Sequence, residues 1–300
     1  MEIRDRIREL AAKKKALILA HNYQRGDVQE LAHHTGDSLE LSRIAEASDA
    51  PIVVFCGVHF MAESAVILSP KKKVLLPDPD SGCPMADMAQ AEDVLSMRRE
   101  HPGAQVVTYI NSTASVKAVS DVCCTSANAA MIVQQMESDE IIFVPDKNLG
   151  SYVQRFTPKT IHLWKGFCPV HDRFTVEELR AVKERHPDAI VVLHPECRPE
   201  VVDLADEVLS TGGMVRFVKQ TRHGKIIIGT EREMLHRLKT VAPDKEYILA
   251  SDSFLCPNMK RIDPDKILRS LETEDPAIRV EESVAAKARV CLERMLALSR

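Results

Sequence analysis

Positive charge is not in excess in this chain. Its 40 lysines and arginines against 44 acids leave a formal net charge of −4 and a pI near 6.3, so there is no electrostatic footprint for nucleic acid. No apolar run approaches membrane-spanning length, and the opening MEIRDRIREL is a charged amphipathic start, not a signal peptide. The chain is therefore read as cytoplasmic, with no membrane and no nucleic-acid partner. A Walker loop, a GxGxxG fingerprint, low-complexity segments and Gly/Ser linkers are all missing, which removes the usual phosphate loops and argues against independently mobile units. In a reducing compartment, eight cysteines favour metal binding, catalysis or burial over disulfides.

What is present is a pattern among those cysteines. Cys83, Cys168 and Cys256 are each followed by proline and lie 85 and then 88 residues apart; the other five are not followed by proline. That spacing excludes a local zinc finger or ferredoxin-type run, so a shared role must be met in space, with one thiolate from each third of the molecule. Such a pattern is that of a metal site on a threefold axis.

The repeat extends beyond the cysteines. ALILAHNY, VVTYINS and IVVLHPE are short apolar stretches ending in polar residues; aligned, they place His21, Tyr109 and His194 at one position and Tyr23, Asn111 and Glu196 two residues later. Offsets of 88 and 85 also relate Ser38, Ser126 and Thr211, and Phe55, Phe143 and Ile228. A self-match at this period indicates duplicated supersecondary units. With 300 residues, 45% of them hydrophobic, the chain can bury a substantial core, and length alone suggests one to three domains.

Helical spacing runs over 3–14, about 90–100 and 175–185, and two of these end in the related turns RREHPGA and KERHPDA. Strands alternating with helices predict parallel βαβ layers. The expected fold is α/β, with three pseudo-threefold-related three-layer αβα units carrying parallel sheets around a central site. Their bounds are 1–86, 87–172 and 173–262, with helices in 263–300 closing onto the first unit.

In open α/β layers ligands sit beyond the carboxyl ends of the strands, where the aligned polar residues fall in every unit. Ser38, Ser126 and Thr211 precede helical runs and read as caps that also hold anions at helix N-termini. Cys56, Cys123, Cys124 and Cys291 read as small buried apolar residues, and Cys197 as structural with less weight because it adjoins Glu196. His33 and His34 read as helix-surface residues; His162 and His223 carry no repeat signal. His171, three residues after Cys168, stands between orienting a ligand and touching substrate.

These residues sit in AHNYQ, GDSLEL, FMAE, YINST, TSANA, PDKNL, CPVH, HPEC, STGGM and CPNMK, ordered along essentially the full length. By them the chain closely resembles the quinolinate synthase family. The resemblance implies three αβα domains around one [4Fe-4S] cluster per chain, held by Cys83, Cys168 and Cys256. It also implies condensation of iminosuccinate with dihydroxyacetone phosphate to quinolinate, releasing phosphate and water, in NAD biosynthesis, with the open iron as Lewis acid. The substrate-binding positions it implies are His21, Ser38, Tyr109, Asn111, Ser126, His171, His194, Glu196 and Thr211, with Met259 close by. Glu196 is the proton-transfer candidate, with Tyr23 and His194 as further catalytic candidates. Some members carry a C-terminal thiol pattern where this chain has only Cys291, which speaks against a thiol switch there.

The lability of iminosuccinate suggests functional coupling to an aspartate oxidase or aspartate dehydrogenase. Two alternatives stay open: an iron-sulfur hydro-lyase acting on a small hydroxy acid, and a zinc or redox-sensing binding protein without turnover.

Overall fold

The computed structural model describes residues 2–299. Twelve strands form three four-stranded sheets among the described residues, all paired in parallel. In chain order they are β1 Ala16–His21, β2 His34–Gly36, β3 Ile52–Cys56 and β4 Lys73–Leu75; β5 Gln105–Tyr109, β6 Val122–Cys124, β7 Glu140–Val144 and β8 Thr160–Leu163; and β9 Ile190–Leu193, β10 Glu207–Val208, β11 Lys225–Gly229 and β12 Glu246–Leu249. The sheet orders are β2-β1-β3-β4, β6-β5-β7-β8 and β10-β9-β11-β12, one topology built three times.

Helices cover both faces of a parallel sheet, so its inner strands read as unbroken apolar runs. IVVFC of β3 is buried at every position, and Phe55, Phe143 and Ile228, the residues related by the repeat, are all at the core. The largest apolar cluster joins the first and second sheets, two smaller ones line the two faces of the third, and a fourth lies under the helix Ala91–Glu100.

Local chemistry sets the helix ends. Thr175 and Glu178 form a reciprocal capping box at the start of Val176–Arg185. His101 and His186, each preceding a proline, leave helical geometry at the ends of Ala91–Glu100 and Val176–Arg185, because the proline ring disfavours the α region for the residue before it.

The terminal helices differ in what they cover. Pro264–Thr273 packs on Ile3–Lys14 of the first unit. Glu282–Leu298 packs on Ala114–Ala118 and β6 as well as on His59–Leu68, so it seals the seam between two units instead of closing onto the first alone. His33 and His34 are not on a helix surface: His34 opens β2, and His33 Nδ1 accepts the Ile18 amide. No helix among the described residues is long and apolar enough to cross a membrane.

Candidate active site

Each chain segment turns back across its sheet between β1 and β3, β5 and β7, or β9 and β11, and a cavity of about 270 Å3 opens at the strand ends there. His21 and Tyr109 are the last residues of β1 and β5, and His194 directly follows β9. All of the aligned polar candidates, His21, Tyr23, Ser38, Tyr109, Asn111, Ser126, His194, Glu196 and Thr211, line this one cavity with His171, Met259 and the three Cys-Pro cysteines.

The two histidines related by the repeat are held alike. His21 Nδ1 accepts the Tyr23 amide at 3.2 Å and His194 Nδ1 accepts the Glu196 amide at 3.4 Å. An acceptor Nδ1 assigns the proton to Nε2, leaving each ring a neutral N–H donor. Burial, above all, lowers His21 to about 3 and His194 to about 4, against the opposing pull of Glu196.

Glu196 is the centre of a buried hydrogen-bonded chain. Its Oε1 accepts the Tyr109 hydroxyl at 2.7 Å, and its Oε2 lies 2.8 Å from His171 Nδ1. His171 Nε2 is 2.9 Å from the Thr230 hydroxyl, which is 2.5 Å from the Tyr23 hydroxyl. Burial would raise Glu196, but His194, His171 and the hydrogen bonds from His171 and Tyr109 outweigh it and hold the carboxyl well below the usual range. Burial first, then the Glu196 charge, push Tyr23 and Tyr109 well above the ordinary phenol value. The resting arrangement is thus a buried carboxylate beside the protonated phenol of Tyr109 and the neutral rings of His21 and His194.

The hydroxyls are not caps, contrary to the sequence expectation. The capping side chains are Asp37, which accepts the Glu40 amide, and Ser210, which accepts the Gly213 amide; Ser38 and Thr211 are the first helical residues after them. Ser126 sits in the turn after β6, where Asn128 holds the Thr125 amide and hydroxyl. One residue after the cap at Ser38 and Thr211, and two before it at Ser126, the hydroxyls are left to the cavity, where Thr211 also takes a hydrogen bond from Asn22 at 3.0 Å. At Gly212 a Cβ would lie 2.4 Å from the Asp37 carboxylate, so a side chain there would push that capping group aside.

Cys83, Cys168 and Cys256 are only partly buried, whereas the other five cysteines are fully buried. Each begins a short helical turn with its proline in or just before the first position. Backbone N–H groups from that turn favour the thiolate: Ala86 and Met85 at Cys83, His171 at Cys168, Met259 and Asn258 at Cys256. They stop short of full capping hydrogen bonds at Cys83 and Cys168. Burial dominates and raises all three thiols, Cys83 to about 12, and Cys83 is further raised by Cys256 and Cys168 by Cys83. Three thiols lining one cavity, with amide support and a high proton affinity, fit a cationic metal group, whose binding expels those protons. A second potential ligand group, Cys168, His171 and Glu196, shares one member with the trio.

Thr230, Glu231, Lys260 and Asn148 did not emerge from the sequence. Glu231 is fully buried against Lys260 Nζ at 2.8 Å, and Lys260 also donates to the Tyr23 carbonyl at 2.5 Å. Asn148 donates to the Glu196 carbonyl at 3.0 Å and so fixes the catalytic candidate's backbone. A signal for two of them existed. Carrying the Phe55, Phe143 and Ile228 alignment forward by two and three residues reaches Thr230 and then Glu231, the latter matched by Asp146. Both buried carboxylates accept the amide two residues ahead, from Asn148 at 2.8 Å and Glu233 at 2.9 Å.

Fold and cavity together define an α/β protein in which residues from the strand ends of all three sheets line one cavity. The chain belongs to the family of the quinolinate synthetase A protein (NadA), whose model matches residues 5–297. It is 52% identical to the quinolinate synthase of Geotalea uraniireducens (strain Rf4) over 100% of this chain and 98% of that one. To the quinolinate synthase of Geobacter sp. (strain M21) it is 53% identical, over 98% of this chain and 97% of its relative. The quinolinate synthase of Methanoregula boonei is 52% identical over 99% of this chain and 98% of that one.

Proposed function

We propose that this chain condenses iminosuccinate with dihydroxyacetone phosphate to quinolinate, releasing phosphate and, as the atoms require, two waters. The observation that carries this reading is the meeting of every aligned polar residue and all three Cys-Pro cysteines in one cavity. Cys83, Cys168 and Cys256 would hold a [4Fe-4S] cluster. Bound by these three thiolates, it would supply Lewis acidity for the dehydration.

The protein's own groups supply positioning and proton transfer. Neutral N–H donors on His21 and His194, with the hydroxyls of Ser38, Ser126 and Thr211 and the amide of Asn111, bind carboxylate and phosphate oxygens. Glu196, ionised at rest, is the base that takes protons in isomerisation and loss of water. Tyr109 and His171 orient it, one on each carboxylate oxygen. Tyr23, at the far end of the chain through Thr230, is the second proton-transfer group.

An imine exposed to water hydrolyses, so the supplying reaction is an oxidation of aspartate, by an oxidase or dehydrogenase, acting close in time. Eight free cysteines suit the reducing cytoplasm. The test is an anaerobic assay of reconstituted protein with the two substrates. Quinolinate formation supports the reading, and its absence from protein that carries four irons per chain rejects it.

A further inference from the structure

A second cluster of ligating side chains lies away from the cavity, on the second sheet. There Glu140 opens β7, and His162, in β8, is the register partner of Ile142 two residues further along β7. Register partners and alternate residues share a sheet face, so Glu140, Ile142 and His162 point the same way. Ile142 is buried in the small core beneath the helix Ala91–Glu100, with Val94, Met97 and Trp164. His101, turned out of that helix by the following proline, comes down over His162: the two rings stack at 3.7 Å between centroids with a 26° tilt.

The nitrogens converge on one oxygen. His162 Nε2 lies 2.9 Å and His101 Nδ1 4.0 Å from the same atom, Glu140 Oε2, and the three ligand atoms fall within 4.8 Å of one another. Bonds of about 2.0–2.2 Å to imidazole nitrogen and carboxylate oxygen set ligand atoms about 3.3 Å apart in a tetrahedral shell. The observed separations bracket that value, and the three side chains, 21–51% exposed, are free to close the difference by rotation. Two imidazoles and one carboxylate select zinc, nickel, cobalt or copper over magnesium or calcium.

We propose that His101, Glu140 and His162 form a binding site for one divalent transition-metal ion of the zinc class, clamping the end of the helix Ala91–Glu100 onto β7 and β8. The clamp joins three segments that are far apart in sequence, so bound metal stabilises the folded second unit by mass action. The ion is distinct from the group held by Cys83, Cys168 and Cys256, whose ligands are sulfur at the opposite ends of the strands.

The sole tryptophan, Trp164, is two residues from His162, within about 7 Å along the chain, and reports on the site. Cobalt(II) chloride added to the cluster-loaded enzyme should quench Trp164 emission saturably at one equivalent. No new sulfur-to-cobalt charge-transfer band should appear, and zinc chloride should restore the emission. His162→Gln should weaken cobalt binding more than about a hundredfold and Glu140→Gln at least about tenfold, with quinolinate formation unchanged in both. Quenching equal to wild type in the two variants, or quenching of wild type that never saturates, overturns the site. Such a result would leave a stacked histidine pair of which His162 alone is hydrogen-bonded to Glu140.

Discussion

Thr230 and His171 are tied by a fully buried hydrogen bond, Oγ1 to Nε2 at 2.9 Å, and that bond joins Tyr23 to the Glu196 carboxylate. Among the described residues, this hydroxyl links the Tyr23 end of the hydrogen-bonded chain to the His171–Glu196 end. Thr230→Val preserves shape and removes it. Turnover should fall by roughly tenfold or more while the affinity for quinolinate and the visible spectrum persist, and Thr230→Ser should recover most of the rate. Equal rates in Thr230→Val and wild type would show that Tyr23 acts without this support.

Glu196→Gln keeps size and places an amide where Tyr109 and His171 both offer donors. The variant should retain the cluster and bind substrate but lose turnover by roughly a hundredfold or more. Near-normal steady-state rates would move the base to Tyr23 or His194.

Serine in place of Cys83, Cys168 or Cys256 should abolish both the brown chromophore and activity, because each thiolate supplies charge and an iron bond. Cys56→Ser and Cys291→Ser, at buried positions away from the cavity, should keep both. Iron and sulfide analysis of the five proteins decides.

Since the caps and the cavity hydroxyls are different residues, they separate by mutation. Asp37→Ala and Ser210→Ala should each lose about 1 kcal/mol of stability. Ser38→Ala and Ser126→Ala should instead raise KM or lower kcat with little change in melting temperature, whereas Thr211→Ala should impair the kinetics and lower the melting temperature as well, because it also leaves the buried Asn22 amide without its acceptor. A melting curve and a rate measurement on each variant test the division.

His21 and His194 stay neutral in the folded protein down to about 3 and 4, whereas in the unfolded chain histidine takes a proton near 6.5. The unfolded state therefore binds more protons in that window, and stability falls as pH drops from about 6.5 toward 4. The slope is up to about 1.4 kcal/mol per pH unit for each ring. Urea unfolding at pH 7 and pH 5 should show the loss in wild type and a shallower one in the double variant His21→Gln, His194→Gln; an equal slope would count against burial as its cause.

The sequence by itself determined the threefold repeat, the apolar strand centres and the Cys-Pro trio, because each depends on residue type at a fixed period, and period survives without coordinates. It also placed His21, Tyr109 and His194 at strand ends, where topology puts ligands. Only the tertiary structure decided which hydroxyl caps and which faces the cavity, since Asp37 and Ser38, or Ser210 and Thr211, differ by one residue and a helix start is not legible to that precision. It alone brought Thr230 to His171 and Lys260 to Glu231. Those contacts join residues 59 and 29 positions apart through packing between strand ends, where distance in space has no periodic signature in the chain.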